Sequence, residues 1–148
     1  MIKDVLNITQ IHLDRLIKAT EEINQLNLEN LDFEDFEIIK TIDTFIYRFM
    51  KLQDYMGNKL FKAFLNEIGE YQDNMSFIDV LDKLEKLEII ENAKIWIKLR
   101  KLRNKMAHEY PTEFEEIIED IKEALKYIPY FQKTFENIFN YLKQRNLI

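Results

Sequence analysis

Arg103, His108 and Tyr110 fall within the eight-residue run Arg103-Asn104-Lys105-Met106-Ala107-His108-Glu109-Tyr110. A guanidinium presents a planar fork of donors that suits phosphoryl oxygens. An imidazole gives and takes a proton near neutral pH. The run closes a basic strip, with six Lys and Arg side chains and no acidic one between Asn92 and His108. The whole chain carries -6 and the strip +6, so the remainder sums to -12. A cationic strip on an anionic body points to phosphate as the first candidate ligand.

Spacing alone does not make a site of these residues. On a continuous helix five positions turn through about 500°, leaving the Arg103 and His108 side chains about 140° apart. Each also has a purely structural reading. A histidine in the last turn of a helix is favoured by the macrodipole, and an arginine there is often a surface charge. Tyr110, followed by Pro111, reads as a half-buried anchor.

The elements that position these residues are helical. Two glycines and two prolines leave little turn punctuation for a β architecture, and apolar residues recur every three or four positions. A first helix is expected from about Ile2 to Ile23, with Val5, Ile8, His12, Leu16 and Ala19 near one face. A polar connection follows from Asn24 to Asn30, and Asp32 with Asp35 opens a second helix. Its seam is Ile38, Ile42, Phe45, Phe49, Leu52, Met56, Leu60 and Phe64, with Gly69 as its stop.

Ser76 and Asp79 have the spacing of a capping box for a short third helix to about Leu87. Asn92 caps a fourth, whose core line is Ile95, Leu99, Leu102 and Met106. Pro111 ends that helix close to His108. Thr112 to Glu115 then has capping-box spacing for a fifth helix that reaches about Gln144, with a kink at Pro129.

The 148 residues suit one all-α domain spanning 1–148, an antiparallel bundle of four to five helices. Thirteen per cent aromatic residues either fill the core of a monomer or leave a surplus that a homodimer buries, and the composition favours the dimer. No run is long and apolar enough for a membrane span, and the N-terminus lacks a signal-peptide core. The absence of cysteine removes disulfides and thiolate metal sites, so cytoplasmic residence is the expectation. With His12 on a core-facing stripe, two histidines cannot make a typical zinc site, and no phosphate-cradling glycine loop is present. Glu85, Glu88 and Glu91 read as a solvated face, so no metal or cofactor is expected.

Arg103-x4-His108-x-Tyr110 at the end of the penultimate helix resembles the HEPN superfamily, in particular the HepT-like toxins of HEPN/minimal-nucleotidyltransferase pairs. Phe45 to Asp54 in the second helix, Trp96 to Asn104 before the motif, and Glu109-Tyr110-Pro111 carry the likeness over nearly the whole chain. The resemblance implies a metal-independent endoribonuclease, the toxin of a type VII-like toxin–antitoxin pair. It implies a homodimer whose two Arg/His pairs line one cleft, with His108 as general acid or base and Arg103 on the developing phosphoryl charge. It further implies a cognate minimal nucleotidyltransferase that silences the toxin by transferring AMP to Tyr110. An alternative is a non-catalytic nucleotide- or substrate-binding partner of such a nucleotidyltransferase.

Around this core several readings stay open. Asn104 either orients His108 or the phosphate, or is a helix-surface amide. Lys98, Arg100, Lys101 and Lys105 either track RNA backbone or pair with acidic residues elsewhere. Arg48, Lys51 and Asp54, at helical spacing in the second helix, form either an inter-helix ion pair or a secondary wall of the cleft.

Overall fold

The computed structural model of the chain describes residues 1–109 and 113–148, and Glu109 by its backbone alone. Tyr110, the Pro111 helix stop and the Thr112 capping box lie outside the described residues. All regular structure among the described residues is helical, an all-α bundle. The elements are α1 (Ile2–Asn24), α2 (Phe36–Tyr55), one π-helical turn (Met56–Leu60), α3 (Phe61–Glu67), α4 (Phe77–Lys86), α5 (Ala93–Glu109) and α6 (Phe114–Gln144). Because α2, the π turn and α3 follow without a gap, they form one rod, and the described residues make five helices.

Local chemistry sets the ends. The Asp35 side chain accepts from the Glu37 amide and caps α2. The helix therefore starts after Asp35, while Asp32 accepts from Glu34 in the preceding turn. Ser76 and Asp79 close both halves of the capping box. Asn92 accepts from the Lys94 amide at the start of α5. Gly69 takes φ +75, and the following Glu70 amide reaches back to Leu65, a left-handed stop that suits glycine. α6 continues through Pro129 as one helix.

The π turn has its own cause. From Leu52 the buried seam steps by four to Met56, Leu60 and Phe64. Each four-residue step overshoots an α-helix by about 40°. A π turn, closing i→i+5 bonds, takes up the surplus and keeps the seam facing inward.

α1 packs along α2, α2 against α5, α5 against α6, and α6 against α1, closing a ring of four, while α4 leans on α5 and α3. A chain of aromatic contacts crosses the ring: Phe61–Trp96 at 4.7 Å between centroids, Trp96–Phe131 at 5.6 Å, and Phe49–Phe131 at 5.4 Å, all edge-on. Two buried faces differ from the expected stripes. α1 buries Ile2, Leu6, Thr9, Leu13, Leu16, Ala19 and Ile23, so Ile8 is exposed and His12 only half-buried at the border with α2. In α5 the larger Trp96 takes the core position and Ile95 moves to its edge. No helix among the described residues is long and apolar enough to cross a membrane.

Candidate functional site

The second half of α5 faces α2 and the π turn across a polar cleft of about 270 Å³. Gln53, Asp54, Gly57 and Asn58 form one wall, Arg100, Arg103 and Asn104 the other, and Phe77 of α4 closes an end. Arg103 is half-buried in this cleft. Its Nε donates to Asp54 Oδ1 at 3.0 Å and its Nη2 to Asp54 Oδ2 at 2.8 Å, a bidentate pair joining residues 49 apart in sequence. Its Nη1 lies 3.4 Å from the Asn104 side-chain oxygen. Of the five N–H donors of a guanidinium, two then have no partner among the described residues. The pair with Asp54 fixes the plane of the fork, so those two point in a set direction.

The other expected site residues separate into groups. Arg100 lines the cleft with its guanidinium 4.8 Å from the centre of the Phe77 ring, a cation–π contact that holds it in place. Lys98 and Lys101 are exposed and lie about 160° and 100° round the helix from Arg100, away from the cleft. Lys105 pairs with buried Asp120 of α6 at 3.1 Å, tying α5 to its neighbour.

His108 is exposed, still within α5, and outside the cleft lining. It stands four residues after Asn104, about 40° round the helix and one turn on, so the two share a face. Asn104, which touches Arg103, thus lies one turn before His108 on that face. Tyr110 lies outside the described residues.

Asp54 pairs across to α5 rather than with Arg48 or Lys51 of its own helix. Those two cations flank Tyr47, at 4.8 and 5.4 Å from its ring centre, and face a second groove of about 380 Å³ between α1 and the rod. Arg15, Lys59 and His12 complete its basic lining, and Asp54 and Asn58 border both grooves. Sequence reasoning assigned His12 to the core. Its half-burial follows from the rotated face of α1, which charge placement alone does not reveal.

Burial lowers the His12 pKa below 6.5, and the nearby positive charges of Arg48, Lys51 and Arg15 lower it further. Its Nδ1 is buried and has no hydrogen-bond partner among the described residues. The facing groups also include Lys59, Asp54 and Tyr55, whose ring centre lies 5.2 Å from the imidazole. A depressed histidine pKa means that the unfolded chain takes up a proton the folded chain resists. Stability from this group is therefore complete above about pH 6.5 and declines as pH falls below it. Denaturant midpoints at about pH 7.5 and pH 5.5 are expected to differ more for the wild type than for His12→Gln. Equal differences would show that His12 does not contribute.

Among the described residues no three His, Cys, Asp or Glu side chains converge as a metal-holding group. A comparison with known protein families gives no match, and a search of curated proteins gives none either.

Proposed function

We propose that the chain is a HepT-like HEPN protein: a metal-independent RNA endonuclease and the toxin of a type VII-like pair. In this reading it works as a homodimer of antiparallel bundles, and a partner minimal nucleotidyltransferase silences it by adding AMP to Tyr110. The observation that carries the reading is Arg103, held by Asp54 at a polar cleft with two donors left over, on the helix that also carries exposed His108 in its last turn.

The chemistry follows from these groups. The ribose 2′-oxygen attacks the adjacent phosphorus, the P–O5′ bond breaks, and a 2′,3′-cyclic phosphate and a 5′-hydroxyl result. One imidazole takes the 2′-hydroxyl proton and another group protonates O5′. Arg103 donors stabilise the charge that builds on the non-bridging oxygens. Two protomers sharing one cleft supply both proton-transfer groups, which answers the angular separation of Arg103 and His108 within one chain. AMP on Tyr110 would place an anion beside the arginines and obstruct RNA.

Purified wild-type protein and His108→Ala, incubated with RNA, provide the test. Loss of about 10²- to 10⁴-fold in cleavage rate is expected for the variant, with its helical content unchanged because His108 is exposed. Equal residual cleavage by the two proteins removes the catalytic assignment.

The position of His108 outside the cleft lining favours a second reading, a non-catalytic nucleotide-binding partner of the nucleotidyltransferase. Harmless expression in cells together with retained nucleotide binding selects it. Growth arrest that depends on Arg103 and His108 selects the toxin.

A further inference from the structure

We infer that the groove between α1 and the rod is a second phosphodiester-binding subsite, which holds single-stranded RNA running on from the Arg103 cleft. The inference rests on RNA being the ligand of that cleft. Three observations support it.

First, Arg15, Arg48, Lys51 and Lys59 converge on the groove, and none has an ion-pair partner among the described residues. Among the described residues the lining has one acidic member, Asp54, and it is already committed to Arg103. On a chain of net charge -6, four such cations around one concavity attract an anion.

Second, the ligand spaces adjoin. Asp54 and Asn58 belong to both linings, so a strand leaving the Arg103 cleft passes over the π turn and enters the groove. The π turn places Asn58 and Lys59 on the surface while Met56 and Leu60 keep the core seam. Wide turns of this kind recur at functional sites.

Third, Tyr47 is half-exposed between Arg48 and Lys51. An aromatic face flanked by cations suits a base stacked beside its phosphates, the combination that single-stranded nucleic acids use without sequence preference. A free phosphate has no use for the ring.

The test measures binding of a fluorescein-labelled single-stranded 12-mer RNA by anisotropy, in the full chain carrying His108→Ala to suppress cleavage. Into this background go Arg15→Gln, Lys51→Gln and Lys59→Gln together, three exposed positions. A control carries Lys18→Gln, Lys62→Gln and Lys133→Gln, equally exposed and outside both linings. The groove triple is expected to lose at least about tenfold in affinity near 0.1 M salt. Its log–log salt slope should fall by about 2, at about 0.7 for each single-strand phosphate contact. The control should change affinity by less than about threefold. Tyr47→Ala alone should weaken binding about fivefold or more.

Equal losses in the groove and control triples, or none in either, overturn the subsite while leaving the nuclease reading intact. Failure of the background protein to bind RNA overturns both. Groove-dependent binding of ATP as tightly as the 12-mer replaces RNA with a free nucleotide as the occupant and overturns the inference.

Discussion

On the proposed nuclease reading, Arg103→Lys is expected to lose about 10²- to 10³-fold in the rate of RNA cleavage, although it keeps the positive charge. The reason is geometric. Arg103 uses Nε and Nη2 for the two oxygens of Asp54 and one Nη1 hydrogen for Asn104, and this leaves the second hydrogens of Nη1 and Nη2 in a fixed plane. An ammonium is a point charge on a flexible stem and cannot hold both carboxylate oxygens while presenting further donors in a set direction. Arg103→Ala should lose at least as much. Asp54→Asn keeps the shape of the partner but weakens the clamp, and an intermediate loss of about tenfold is expected.

Stability should move little in these variants. The pair is partly exposed, at 26% for Arg103 and 38% for Asp54, so solvent screens it to about 1 kcal/mol or less. Single-turnover cleavage beside thermal melts by circular dichroism separates the two effects. Wild-type cleavage by Arg103→Lys would show that charge alone suffices and that the Asp54 clamp is not part of the mechanism.

The clamp also marks where sequence reasoning stops. Caps depend on residues two to four apart, so Asp35, Ser76 with Asp79, Gly69 and Asn92 could be read from the chain, and helix ends follow them closely. Periodicity carried the rod's seam for the same reason. The Arg103–Asp54 pair joins positions 49 apart, and nothing in the spacing of either helix selects that partner. Asp54 could be seen only as one polar residue among Arg48 and Lys51, with the ion pair and the cleft wall both open. In the structure it takes part in both, while the two cations turn to a different groove.

Other features were present in the sequence but need tertiary context to interpret. The change from alternating three- and four-residue steps to successive fours after Leu52 is the signature of the π turn. A helical seam tolerates one such step, so it is the repetition that carries the information. The rotation of α1 was not legible. Val5, Ile8 and His12 make as good a stripe as Leu6, Thr9 and Leu13, and packing against α2 decides between them. Where the basic side chains point depends equally on neighbours. Lys105 meets Asp120 of α6 because α5 packs there, whereas Lys98 and Lys101, on the same strip, remain exposed.

The site depends on how firmly α5 is held, and Trp96 is one of the side chains that anchor it in the core. Trp96→Ala is expected to destabilise the fold by about 3–5 kcal/mol, from lost burial and the cavity left behind. Trp96 is 1% exposed and meets Phe61 and Phe131 edge-on, so one side chain joins α3, α5 and α6. Its indole N–H is buried with no partner among the described residues, a penalty that the packing offsets. Trp96→Phe removes that donor and keeps an aromatic ring, so it should cost well under half as much as the alanine change. For a chain of this length each kcal/mol moves the melting temperature by about 2–4 °C, which puts Trp96→Ala roughly 10 °C below the wild type. Circular dichroism is the appropriate probe, since the substitution removes the only tryptophan. Cleavage by the alanine variant, measured well below its transition, should fall further than Trp96→Phe, because loosening α5 opens the Arg103–Asp54 seam. Unchanged melting of Trp96→Ala would mean that α5 is anchored elsewhere, and that the cleft does not depend on this aromatic contact.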